Sequence, residues 1–159
     1  MRLLLTSAGV TNDSIRGALV ELLGKPIGDC NVLCIPTAMY GHPWVGPGVN
    51  AWKFISGQSE NPMVGLGWRT PRIGEEFVGW QAPDGDDDRT LGLVDFSIFP
   101  HLDDESLPTN TMAAAETWAA GIAGPAYAID NETAIKVTDG NAEVVSEGHW
   151  RFFSSQPSA

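Results

Sequence analysis

The chain has 159 residues, 43% of them apolar and 18% charged, with 20 acids against 9 bases for a net charge of −11. That length can bury one core, and the balance of apolar and charged residues excludes wholesale disorder. So acidic a surface repels nucleic-acid phosphates and anionic lipid, so neither nucleic acid nor membrane is expected as a partner.

The opening reads as strand, helix and strand. Residues 2–6 are a short apolar run ending in the turn composition Ser7-Ala8-Gly9. Three leucines after Arg2 fall far short of a signal-peptide core, and no run approaches the roughly 18 apolar residues of a membrane span, so a cytoplasmic protein is expected. Asn12 and Asp13 are suitable helix N-caps; Ile15, Ala18, Leu19, Leu22 and Leu23 recur at helical spacing until Gly24 and Pro26. Residues 32–36 form a continuously apolar strand of the kind buried on both faces of a parallel sheet. Cys30 and Cys34 flank this run, too far apart along a strand for an easy disulfide, and read as reduced, packed thiols. A strand-helix-strand unit of this length predicts a right-handed crossover and a layered α/β domain.

Residues 40–75 are rich in glycine and proline, with one short helix expected near residues 49–56. Next come a strand over 76–80, the acidic loop Asp84-Gly85-Asp86-Asp87-Asp88, and a strand over 93–99. An alanine-rich helix over 112–122 is closed by Gly124 and Pro125. Two β-branched segments, 133–137 and 143–145, surround Asp139-Gly140-Asn141, a hairpin signal. Glu147-Gly148 then turns the chain into His149 and a final apolar stretch. One α/β domain is expected over 1–153, with a frayed tail over 154–159.

Several of these segments together resemble the dipeptidase E (aspartyl dipeptidase) family of serine peptidases. Leu3-Leu4-Leu5-Thr6-Ser7-Ala8-Gly9 and Leu33-Cys34-Ile35-Pro36-Thr37-Ala38 resemble its first two strands. Leu91-Gly92-Leu93-Val94-Asp95-Phe96-Ser97-Ile98-Phe99-Pro100-His101 resembles the strand that delivers its catalytic histidine. Tyr127-Ala128-Ile129-Asp130, Thr133-Ala134-Ile135 and Val144-Val145-Ser146-Glu147-Gly148 resemble its C-terminal hairpin. The resemblance implies a three-layer flavodoxin-like or glutaminase-like fold, with a mostly parallel sheet and a C-terminal β-hairpin. It also implies a serine hydrolase that removes aspartate from Asp-X dipeptides.

Such chemistry needs a serine on a sharp strand-to-helix turn, an oxyanion loop, a histidine base and an acid to orient it. Met63-Val64-Gly65-Leu66-Gly67-Trp68 resembles the lead-in to the family's third strand, yet the chain passes directly to Thr70-Pro71-Arg72-Ile73-Gly74, which resembles sequence beyond the nucleophile. This reads as an internal deletion near Arg69 that removes the elbow, the Gly-rich loop and the central strands. Gly57-Gln58-Ser59-Glu60-Asn61 fails as a substitute elbow at its last position, and Ser7 and Ser97, at or within strands, read as structural.

By the same resemblance His101 occupies the position of the general base. Asn131 falls at the acid's position with Asp130 one residue before it, and a one-residue shift of register would restore Asp130; Glu132 is a weaker substitute. An amide cannot stabilise an imidazolium as a carboxylate does. No cofactor or metal is expected. The acidic loop lacks the glycine and glutamate of a calcium site, and His101 with Asp103 and Asp104 is not a ligand set. His42 and His149 have no partners at ligand spacing. Six tryptophans suggest an aromatic core or interface. The functional expectation is a non-catalytic relative of dipeptidase E that takes a small peptide or other small ligand. An active serine hydrolase with an unrecognised nucleophile and a structural interaction module are the alternatives. A homodimer is the expected partner state if the missing strands leave apolar faces open.

Overall fold

Asp139 and Gly140 close a hairpin between β6 (Thr133–Thr138) and β7 (Asn141–Ser146), as their sequence predicts. Their φ values of 50° and 84° are both positive, which a two-residue type I′ turn requires and which glycine adopts without strain. The protein is described from a computed structural model over residues 1–34, 63–73 and 92–154. These fall into two compact units, one of Met1–Leu22 with Gly92–Ala159 and the other of Leu23–Leu91.

In the first unit β1 (Arg2–Thr6) lies antiparallel to β6, from Arg2 opposite Thr138 to Thr6 opposite Ala134. The sheet order is therefore β1-β6-β7, with β6 in the centre and its residues Thr133 to Val137 all buried. Alternation along β6 sorts those residues onto two faces. Ile135 and Val137 join Leu3 and Leu5 of β1 in a cluster with Ile98, Tyr127 and Ile129 of a second sheet. On the opposite face, Lys136 Nζ meets Glu21 of helix α1 (Asp13–Leu23) at 3.0 Å and Glu143 at 2.7 Å. Two carboxylates thus compensate a lysine that is only 8% exposed. The Asn12 side chain caps α1, its Oδ1 accepting from the Ile15 N–H at 2.9 Å. Ile15 and Ala18 form the buried stripe of the helix.

The second sheet has the order β4-β5-β8, with β4 (Ser97–Phe99) parallel to β5 (Ala126–Ile129) and β8 (Trp150–Phe153) antiparallel to it. Its face away from Ile135 buries Ala128 with Leu102 and Ala115, and Phe99, Met112 and Phe153 pack around them. Ala115 and Met112 belong to helix α2 (Met112–Ala120), whose cap Thr111 accepts from the Ala114 N–H at 3.2 Å. In the second unit, β2 (Asn31–Cys34) and β3 (Thr70–Ile73) form a parallel pair, and the Arg69 N–H donates to the Cys30 carbonyl at 3.0 Å. Both cysteines are free thiols.

This architecture overturns the expected three-layer flavodoxin- or glutaminase-like fold with a mostly parallel sheet. Strands β1, β6 and β7 are antiparallel throughout, β5 and β8 likewise, and β1 shares no sheet with β2, so the predicted crossover does not form. The reason lies in what an apolar run encodes. Leu3-Leu4-Leu5 demands burial, but carries no information on strand direction, and an antiparallel neighbour covered on both faces satisfies it equally. The picture of one sheet lacking its central strands falls too, because β6 is central in its own sheet and paired on both sides. The strand expected over 93–99 shortens to Ser97–Phe99. The helix over 49–56, the strand over 76–80, the acidic loop at 84–88 and the tail beyond Ser154 lie outside the described residues. Among the described residues no helix is long and apolar enough to cross a membrane.

Two carboxylates fasten the N-terminal segment to the hairpin. The Met1 ammonium donates to Asp139 at 2.7 Å, and Glu147 accepts from the Ser14 N–H at 2.8 Å. These bonds hold both carboxyls below their ordinary range, for Asp139 with added attraction from the same ammonium. A lowered folded-state pKa means stability that is present above the unfolded value and lost as pH falls through the folded one. The urea midpoint is therefore expected to drop on acidification below about pH 4, and Glu147→Gln to flatten that limb. Lys136, raised by its bonds to Glu143 and then Glu21, has the opposite sign and weakens the fold only as pH rises above about 10.

Candidate functional site

Beyond β4 the chain leaves Pro100 and drives one apolar side chain inward. Leu102 is 1% exposed, and its N–H donates to the Ile129 carbonyl at 3.0 Å. The residues on either side, His101 and Asp103, have φ values of 54° and 53°, a region that non-glycine residues seldom occupy. Around this left-handed pair the side chains of His101 and Asp104 meet Asn131 in the β5–β6 turn, and that of Asp103 meets His149.

His101 is bound at both backbone and ring. Its N–H donates to Ser7 Oγ at 2.7 Å, at the end of β1. Its Nδ1 lies 2.7 Å from Asn131 Oδ1 and 3.2 Å from Ser7 Oγ. The Ser7 hydroxyl donates to the same Asn131 Oδ1 at 3.1 Å. The other end of that amide, Nδ2, donates to Asp104 Oδ2 in a short hydrogen bond. The Asp104 carboxyl is held below its ordinary range by the Ser106 hydroxyl and N–H, then by the Asn131 amide and the charge of His101. Thr11 and Asn12 clamp the turn from the α1 side. Thr11 Oγ1 donates to the Asn131 carbonyl at 2.8 Å, and Asn12 Nδ2 to the Glu132 carbonyl at 2.9 Å.

Asp130 faces another histidine. Its buried carboxylate accepts from the Glu132 N–H at 3.1 Å, Thr133 Oγ1 at 2.6 Å and the His149 N–H at 2.7 Å, and His149 Nδ1 lies 3.0 Å away. The far nitrogen of His149 meets Asp103 at 3.0 Å, so one imidazole bridges two carboxylates. Such close approach depends on Gly148, where a Cβ would stand 2.0 Å from Asp130 Oδ2.

Of the three residues singled out from sequence, His101 and Asn131 come together, while Asp130 is turned away to His149. Glu132 is engaged with Asn12 and does not replace either. Ser7, read from the sequence as structural, and Asp104, weighed there only as a metal ligand beside His101, complete the group. Ser7 had a signal in its Ser-Ala-Gly turn, and Asp104 in lying three residues from His101; both needed tertiary pairing to be recognised. The Gly57-Gln58-Ser59 segment and His42 lie outside the described residues. Among the described residues no three His, Cys, Asp or Glu side chains could hold a metal. Chemically, the arrangement orients an imidazole with a neutral amide and leaves the nearby hydroxyl bonded to an amide oxygen. Compared with family models, curated proteins and solved structures, the chain matches none.

Gly148→Ala is expected to expel the Asp130 carboxylate from the His149 N–H and lower unfolding stability by about 2–3 kcal/mol, read from urea denaturation. Gly17→Ala gives the opposite sign. Gly17 lies inside α1 with no atom within 4 Å of an added Cβ, so alanine adds roughly 0.5–1 kcal/mol of helix propensity.

Proposed function

We propose that the chain is a non-catalytic relative of dipeptidase E-like serine peptidases, which holds a small peptide or similar ligand at His101 without hydrolysing it. The observation that carries this reading is the setting of the Ser7 hydroxyl. Its oxygen accepts the His101 N–H at 2.7 Å, and the acceptor Asn131 Oδ1 stands 3.1 Å from it while also engaging His101 Nδ1 at 2.7 Å, the ring nitrogen that would have to take the serine proton. The residue opposite His101 Nδ1 is an amide, which cannot stabilise an imidazolium by charge. The chain also carries no Gly-x-Ser-x-Gly sequence. Two free thiols support placing it in the cytoplasm.

A second reading, an active serine hydrolase with Ser7 as nucleophile, is favoured by one distance. Ser7 Oγ lies 3.2 Å from His101 Nδ1, in a Ser-Ala-Gly turn between a strand and a helix. Hydrolysis would require Nδ1 to give up its proton and its bond to the Asn131 side chain, so that its lone pair can accept the serine proton.

The test is incubation of the folded chain with an aspartyl dipeptide, beside His101→Ala, together with labelling by a fluorophosphonate. No release of aspartate, no labelling, and dipeptide binding that weakens at least tenfold in His101→Ala are expected. Aspartate release that His101→Ala abolishes, with Ser7 labelled, would establish the second reading instead. Equal dipeptide binding by both chains, or none by either, would remove His101 as the ligand contact.

A further inference from the structure

We propose that Asp104 is a positioning residue that fixes the tautomer of His101 through the side-chain amide of Asn131, so that the lone pair of the neutral imidazole lies on Nε2. The Asn131 amide has two orientations of nearly the same shape, differing by exchange of oxygen and nitrogen. Asp104 separates them. A carboxylate offers acceptors only, so the end of the amide facing it has to be the NH₂ group, as observed. Asp104 is itself held in place by the Ser106 hydroxyl at 2.5 Å and the Ser106 N–H at 2.7 Å.

The rest follows by exclusion. With Nδ2 committed to Asp104, Oδ1 faces His101 Nδ1 at 2.7 Å, and an oxygen acceptor at that distance requires a proton on the ring nitrogen. The Ser7 hydroxyl, 3.1 Å from the same oxygen, spends its one proton there and receives the His101 backbone proton on its oxygen. The His101 N–H and Nδ1–H, the Ser7 hydroxyl and one Asn131 N–H then each have an acceptor. Turning the amide over would set oxygen against the Asp104 carboxylate, two acceptors in contact with no proton between them.

The consequence concerns the ligand. A neutral His101 presents an acceptor at Nε2, so the ligand atom that meets it carries a proton, as an amine, amide N–H or hydroxyl does and a carboxylate does not. This consequence rests on the proposed ligand-holding role; the tautomer does not.

Long-range ¹H–¹⁵N correlation of the histidine rings above about pH 8, where imidazole is ordinarily neutral, reads the tautomer directly. His101→Gln assigns the signals among the three histidines. Wild type is expected to show His101 as the single Nδ1–H form, Asp104→Ala to lose that single form, and Asp104→Asn, whose carbonyl can accept the same amide, to restore it. An Nε2–H ring in wild type overturns the proposal and needs no variant. So does an Nδ1–H ring that persists in Asp104→Ala, or an Asp104→Asn ring that behaves as the alanine variant does. Dipeptide hydrolysis would sink the functional reading and leave the wild-type tautomer result standing.

Discussion

Leu102 holds the site in place. Burying one leucine is worth roughly 2–3 kcal/mol, and its N–H bond to Ile129 adds to that anchor. Against this stand two left-handed residues, His101 and Asp103, each costing on the order of 1 kcal/mol. The balance allows the loop to keep a conformation it would not choose alone. Because Leu102 packs with Ala115 of α2 and Ala128 of β5, the loop is tied to the same core that positions the β5–β6 turn. The distances between residues 101–104 and residues 130–131 therefore come from one packed cluster, not from two independently placed loops.

The turn distributes its two polar side chains according to that geometry. Asp130 is buried and takes its donors from Glu132, Thr133 and His149, which close the end of the β6–β7 hairpin against the start of β8. Asn131, one residue on, faces the opposite partner and meets His101. A carboxylate is thus used for structure and an amide at the imidazole. A serine peptidase sets a carboxylate directly against its histidine; here the carboxylate of Asp104 stands behind the Asn131 amide instead.

What could be read in the sequence is what is local. The turn Asp139-Gly140 specifies its hairpin because both residues tolerate positive φ, and Asn12 starts α1 through a bond within its own first turn. The expected set of His101, Asp130 and Asn131 is divided by the structure, which puts Asn131 against the His101 ring and Asp130 against His149. Strand direction was not legible, since the leucines of β1 state a need for burial that an antiparallel β6 meets as well as a parallel β2. Ser7, Asp104 and the Asp130–His149–Asp103 bridge were hidden for a related reason. Each is a polar residue of ordinary type in a turn, and only the docking of Leu102 gives it a partner. The direction of Asp130 was equally unreadable, because a one-residue choice in a turn depends on the space that Gly148 leaves.

The proposed function rests on the difference between an oriented histidine and a base at work. In a serine hydrolase the orienting group has two tasks: it selects the ring tautomer, and it stabilises the imidazolium that forms when the proton is taken. Asn131, itself oriented by Asp104, performs the first. The second needs charge in contact with the ring, and attraction between full charges weakens with each added ångström and with solvent screening. Asp104 acts through an amide and is accessible to water, so it performs the second weakly. Proton abstraction also needs a hydroxyl at the basic nitrogen, and the Ser7 hydroxyl lies at the other edge of the ring, on Nδ1. Tautomer selection without charge support, beside a hydroxyl on the protonated edge, suits an imidazole that accepts a hydrogen bond and keeps it.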